Sequence, residues 1–198
     1  MKITAIALSG GKSSRMGRDK ALLEINGENL LFRTCRTALQ IADSVYVVAR
    51  SQEQYQQAIA DSLNPIHVVL DRKFEGALVG FWQGLKAIAE PTDWILLLAC
   101  DLPNIQGDVL QTLASKLEDL PENAIAYLPR YLDGDDRKQW EPLCGFYRWG
   151  CQDSLAEFIE KGGRSFQKWL GDREVIEISN LPLSMLFNCN TPDDFRLI

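Results

Sequence analysis

The chain has 198 residues, 46% hydrophobic and 24% charged, with a formal net charge of −6. That length carries one substantial core, and the composition is that of an ordinary soluble globular domain. No stretch approaches the ~18–20 apolar residues of a membrane span, and the acidic balance argues against a surface that coats nucleic acid.

The N-terminus begins with an apolar run, Ile3 to Leu8, which reads as a buried strand and not as the long apolar region of a signal peptide. It runs directly into a glycine-rich, cation-rich loop, Ser9 to Lys20. Between Lys12 and Lys20 stand four cations and one anion, a positive spot on a negative chain. Further strands are expected at Ser44 to Ala49, Ile66 to Leu70 and Trp94 to Cys100. Leu78, Phe81, Trp82, Leu85 and Ile88 recur with the i, i+3, i+4, i+7 spacing of a packed helix, and Val109, Leu110, Leu113 and Leu117 do the same after the fourth strand.

Past residue 120 the pattern loosens. Ala124 to Leu128 and Leu143 to Tyr147 read as strands flanking a polar loop, Tyr131 to Glu141. Asp133, Asp135 and Asp136 in that loop form a polar turn, since the spacing and closing glutamate of a calcium loop are missing. Leu155, Phe158 and Ile159 mark a helix stopped by Gly162-Gly163, and Val175 to Ile178 is a last short strand. Strands alternating with helices argue for a parallel sheet wound with helices on both faces. There is no repeat or linker, so residues 1–198 read as one domain. Five cysteines (Cys35, Cys100, Cys144, Cys151, Cys189) stand singly, an odd count without Cys-x-x-Cys spacing. They read as buried free thiols, in keeping with a reducing cytoplasm.

In open parallel sheets, ligands bind beyond the carboxyl ends of the strands. Three motifs fall there: the Ser9 to Lys20 loop after strand one, Asp71 after Leu70, and Asp101 after the most apolar strand. Gly10 and Gly11 permit a positive φ and bring backbone N–H groups close to an anion. Arg15 can bridge phosphate oxygens with its fork, and Lys20 supplies a mobile point charge. The Walker spacing fails because Ile6 stands where glycine is required, and Gly-x-Gly-x-x-Gly is absent. Asp101 reads either as an N-cap for the helix beyond Pro103 or as a Mg²⁺ ligand, magnesium being held by one or two carboxylates plus substrate phosphates. Asp71 reads equally as a turn residue or a nucleotide contact.

The lone His67, inside a short strand, reads as structural, and no Ser-His-Asp or Cys-His set assembles around it. A reaction whose nucleophile is already an ionised phosphate needs no general base, only positioning and charge neutralisation.

The run Leu8-Ser-Gly-Gly-x-x-x-Arg15-Met16-Gly17-x-Asp19-Lys20, the Asp71 turn and Cys-Asp101-x-Pro103 resemble the nucleotidyltransferases that activate phosphorylated small molecules. With Gly76-Ala-Leu-Val-Gly80, Glu141-Pro-Leu-Cys-Gly145, Gly162-Gly-Arg-Ser165 and Asn188-Cys-Asn-Thr-Pro192, the whole chain resembles the molybdenum cofactor guanylyltransferases. The resemblance implies a three-layer α/β/α, Rossmann-like fold with a mostly parallel sheet. It implies GMP transfer from GTP to molybdopterin with Mg²⁺, forming the guanine dinucleotide and pyrophosphate. Residues 1–105 would hold GTP through Leu8, Ser9, Gly10, Gly11, Lys20, Asp71 and Asp101, the last also carrying the metal. Residues 106–198 would face the pterin through Arg164, Asn188 and Asn190. Arg15 and Lys20 would stabilise charge on the departing pyrophosphate. A monomer is expected, with proteins that insert molybdenum or receive the cofactor as partners.

Two positions depart from the family pattern. Ser9 stands where alanine is usual, and Ala49-Arg50 stands where many members place an asparagine. A cytidylyltransferase or sugar-phosphate nucleotidyltransferase of the same fold, or a catalytically silent nucleotide-binding subunit, remain the alternatives.

Overall fold

The computed structural model describes residues 1–9, 20–59, 65–132, 134, 135, 137–189 and 194. In chain order its elements are β1 (Ile3–Ser9), β2 (Glu24–Ile25), β3 (Glu28–Asn29), α1 (Leu30–Ala38), β4 (Val45–Ala49), α2 (Gln52–Ala58), β5 (Ile66–Leu70), α3 (Ala77–Ala87), β6 (Trp94–Ala99), α4 (Gly107–Ala114), β7 (Ala126–Leu128), β8 (Arg130–Leu132), β9 (Lys138–Trp140), β10 (Cys144–Arg148), α5 (Gln152–Glu160), α6 (Phe166–Leu170) and β11 (Val175–Glu177).

Seven of these strands form the central sheet, in the order β11-β7-β10-β6-β1-β4-β5. β6, β1, β4 and β5 pair in parallel. β10 runs antiparallel to both β6 and β7, and β11 is again parallel to β7. β10 alone is therefore reversed. The α/β, mostly parallel architecture expected from the strand–helix alternation is present. The central strands β4 and β6 are apolar without interruption because both faces of the sheet are covered there.

Alternation along β1 and β6 divides the core in two. Ile3, Ala5, Ala7, Trp94, Leu96 and Leu98 pack on one side with Leu31 and Cys35 of α1 and Leu110 and Leu113 of α4. Ile6, Ile95 and Leu97 face the other side, where Leu78 and Leu85 of α3, Leu155 of α5 and Trp169 of α6 cover them. Helices on both faces make three layers. α3 lies close on β1 through Gly84, whose added Cβ would fall 2.9 Å from Ile6 Cγ2.

Element ends shift by a residue at Ser44, Cys100 and Ile178, β7 starts at Ala126 and not at Ala124, β10 runs from Cys144 to Arg148 and not from Leu143 to Tyr147, and Leu117 lies in a 3₁₀ turn beyond α4. One expectation is overturned. The polar stretch from Tyr131 to Glu141 is not wholly a loop, because β8 and β9 form a hairpin pairing Arg130 with Trp140. The Arg130 guanidinium lies 3.8 Å from the Trp140 ring centroid, so a cation–π contact binds the two short strands. Within that loop, Asp135 pairs with Arg137 at 2.8 Å, while Asp133 and Asp136 lie outside the described residues. His67 is exposed on the edge strand β5, its ring 4.8 Å from that of Tyr46. Among the described residues no helix is long and apolar enough to cross a membrane.

Candidate active site

The chain passes from β1 outward through β4 to β5, then crosses back by α3 to enter β6 on the other side of β1. That reversal opens a crevice at the carboxyl ends of β1 and β6, where strand-end loops diverge. A cleft of about 630 Å³ lies there, a size suited to a nucleotide. Leu8, Ser9, Lys20, Asp71 and Asp101 all line it, together with Arg50, Phe74 and Glu75.

Each wall has a local cause. Ser9 is buried, and its hydroxyl donates to the Tyr55 hydroxyl of α2 at 2.6 Å. The buried serine hydroxyl is thus satisfied by a partner 46 residues away. The Cys100 N–H donates to the Leu8 carbonyl at 3.1 Å, which carries the β1–β6 pairing up to the residue before Asp101. Beyond it, Arg33 Nε donates to the Pro103 carbonyl at 2.9 Å and holds the turn. α4 begins only at Gly107 with Gln106 as its N-cap, so Asp101 caps no helix. The N-cap alternative falls, and a half-buried carboxylate stands in the cleft.

Burial raises the Asp101 carboxyl above its usual range, with Lys20 and its own backbone N–H pulling the other way. Glu141, just before β10, is also raised by burial and by the negative charge of Asp101, against a 3.3 Å bond from the Leu143 N–H. Glu141 entered the sequence reading only as part of a motif. Its proximity to Asp101 follows from the antiparallel pairing of β10 with β6, which sequence does not display.

Asp71 serves the turn. Its Oδ1 accepts from the Lys73 and Phe74 backbone N–H groups, each at 3.1 Å, and from Gln83 Nε2 at 2.6 Å. Among the described residues no donor reaches Oδ2, so a turn role leaves one oxygen for the cleft. Arg164 and Asn188 do not line the cleft. Arg164 donates to Glu75, which does, and also to the carbonyls of Ile159 and Gly163. Asn188 Nδ2 donates to the Leu186 carbonyl at 3.3 Å, while the N–H of the next residue, Cys189, donates to the Asp101 carbonyl at 2.9 Å. The second half of the chain therefore touches the site at both places. Gly10, Gly11, Arg15 and Asn190 lie outside the described residues.

A mostly parallel sheet with a carboxylate and a lysine at its switch-point crevice is an arrangement that suits nucleotidyl transfer. The chain belongs to the family described as the MobA-like NTP transferase domain, whose model matches residues 5–175. It is 46% identical to a probable molybdenum cofactor guanylyltransferase from Nostoc sp., over 99% of this chain and 90% of that protein. Two solved structures share the fold with a TM-score of 0.74. One is a molybdopterin-guanine dinucleotide biosynthesis protein A from Archaeoglobus fulgidus, 22% identical, covering 98% of this chain and 95% of that one. The other is a 4-diphosphocytidyl-2C-methyl-D-erythritol synthase from Anaerococcus prevotii, 13% identical, covering 99% and 95%. At such identities these two speak for the fold alone.

Proposed function

We propose that the protein transfers GMP from GTP to the terminal phosphate of molybdopterin, releasing pyrophosphate and forming the guanine dinucleotide cofactor. The observation that carries this reading is the placement of Lys20 and Asp101 in one cleft between adjacent strand ends. The similarity to the Nostoc relative supports guanine and molybdopterin over other substrates.

An oxygen of the acceptor phosphate attacks the α-phosphorus in line, and the bond from that phosphorus to the bridging oxygen breaks. The nucleophile is already ionised, so the protein's task is positioning and charge stabilisation. Lys20, with Arg15 and the amides of Gly10 and Gly11, faces the leaving pyrophosphate, while Leu8, Ser9 and Asp71 position the nucleoside. Arg164, Asn188 and Asn190 serve the pterin, with residues 1–105 as the GTP half and 106–198 as the acceptor half. The tie from Cys189 to Asp101 supports that division.

A Mg²⁺ ion fits the donor set. Asp101 is an oxygen ligand drawn out of water, and magnesium takes one or two carboxylates and completes its shell with phosphates and waters. Asp101 would hold it, and when bound it supplies neutralisation of the triphosphate charge.

The decisive measurement is pyrophosphate release with molybdopterin as acceptor and GTP or CTP as donor. Release with GTP is expected. Release with CTP alone would replace this reading with cytidylyl transfer. GTP binding without any release would leave a silent nucleotide-binding protein.

A further inference from the structure

Phe74 combines two unfavourable features. It is 56% exposed, and its φ of +52° lies in the left-handed region. The other non-glycine residues found there, among those described, are Asn26 and Asn180, whose short polar side chains tolerate it. A bulky aromatic in that conformation is strained, and such strain persists only where the surroundings impose it. Here they do. Asp71 Oδ1 takes the Phe74 N–H, and Gln83 of α3 locks the turn by donating to Asp71 and accepting from the Arg72 N–H at 3.2 Å. The turn holds an aromatic ring at the rim of the nucleotide cleft, where it gains little for the unliganded fold.

The ring's neighbour is Arg50, whose guanidinium carbon lies 5.4 Å from the ring centroid. The Asp71 N–H donates to the Ala49 carbonyl at 2.7 Å, which sets the ends of β4 and β5 side by side and places Arg50 next to the turn. Both residues line the cleft. Among the described residues no acidic side chain pairs with Arg50. Its charge and its planar fork are therefore presented to the cleft on an aromatic support.

We infer that Arg50 reads the nucleobase: its fork donates to O6 and N7 of guanine, and the purine lies with the guanidinium on the Phe74 ring. A guanidinium offers paired donors in one plane, which guanine matches with two adjacent acceptors. Adenine places an amino donor where guanine has O6, and cytosine presents its own amino group, so both set donor against donor. This assignment rests on GTP being the donor nucleotide and gives that preference a residue.

The test is titration calorimetry on the full chain with GTP, 7-deaza-GTP, ATP and CTP, using wild type, Arg50→Lys and Phe74→Leu. In the wild type 7-deaza-GTP, which lacks N7, binds about tenfold more weakly than GTP, in line with the loss of one arm of a bidentate contact. Arg50→Lys keeps the charge and loses the fork, so that penalty shrinks to about threefold or less and discrimination against ATP falls about tenfold. Phe74→Leu weakens GTP several-fold while leaving its melting temperature at or above that of the wild type. Identical GTP to 7-deaza-GTP ratios in wild type and Arg50→Lys, with GTP still bound, would overturn the assignment while sparing guanylyl transfer. Failure of the wild type to bind GTP would remove both.

Discussion

Arg164 closes on Glu75 across 89 residues of chain: its Nη2 lies 2.6 Å and its Nε 2.8 Å from the same carboxylate oxygen. This ties the loop after α5 to the turn that carries Asp71 and Phe74. The two halves of the chain meet at a charged contact beside the cleft. Both side chains are about 40% exposed, so the pair itself adds at most ~1 kcal/mol to stability. Its weight falls on positioning.

Arg164→Ala should therefore lower the melting temperature by no more than ~2–4 °C while weakening GTP several-fold through the loosened turn. The reversed pair, Glu75→Arg with Arg164→Glu, restores GTP affinity because the tie is re-formed. On the role proposed for Arg164 at the pterin, the acceptor's KM stays raised in the reversed pair. If the reversed pair leaves GTP affinity as low as the single variant, the tie does not position the turn.

Asp101 sets function against stability. Asp101→Asn should abolish pyrophosphate release and yet stabilise the unliganded protein by about 1 kcal/mol, ~2–4 °C in melting temperature. Its carboxyl is raised by burial above the ordinary 3.8, so the folded state holds the proton more tightly than the unfolded chain does. The wild type is accordingly least favoured above the folded pKa, and it recovers as pH falls towards 3.8. The advantage of Asp101→Asn, followed by thermal melts from pH 8 to pH 4, should be largest at neutral pH and shrink on acidification. Turnover of the wild type should rise with pH through the same range as the carboxylate ionises. An advantage that grows on acidification would contradict the desolvated carboxylate.

Gly145 tests the antiparallel strand that closes the second half of the sheet. A Cβ there would sit 2.7 Å from the Tyr127 carbonyl oxygen and 2.7 Å from Leu128 Cδ2. Backbone on the adjacent strand cannot yield as a side-chain end can, so Gly145→Ala should cost about 1–3 kcal/mol and depress the melting temperature by several degrees. Gly134 faces open space and is the control, with Gly134→Ala expected within about 0.5 kcal/mol of the wild type. Equal melting temperatures for both variants would show that β7 and β10 are less closely apposed.

The parallel strands were legible because they are short, predominantly apolar runs, unbroken in β4 and β6, the mark of burial on both faces. Asp71 and Asp101 were legible as strand-end residues for the same reason, and Lys20 as the last cation of the loop that follows β1. Other parts depend on distant partners. β2 and β3 are two residues each, too short for alternation to show, although Asn26 and Gly27, both at positive φ, carry the hairpin signal between them. The hairpin at Arg130 and Trp140 is hidden because each strand is three residues long and the stretch between them is polar. Nothing in a phenylalanine announces a left-handed φ, which Asp71 and Gln83 impose on Phe74 from a strand end and a helix. The Arg164 contact with Glu75 is likewise invisible along the chain.

The five cysteines give a further check on the core. All are free and buried. Burial pushes the thiols of Cys35, Cys144 and Cys151 up to about 12, and that of Cys189 to about 11, with Asp194 and Asp101 adding to the rise. Because the thiolate is the reacting species, these groups are inert at neutral pH as well as inaccessible. A disulfide-exchange reagent should titrate less than one thiol over minutes in the native protein and all five in about 6 M guanidinium chloride, past the usual unfolding range. Cys100 lines the nucleotide cleft, so any slow native reaction belongs there and is suppressed by GTP. Rapid native labelling of Cys35, Cys144 or Cys151, located by peptide mass mapping, would show that the sheet's two covering layers open far more readily than their packing implies.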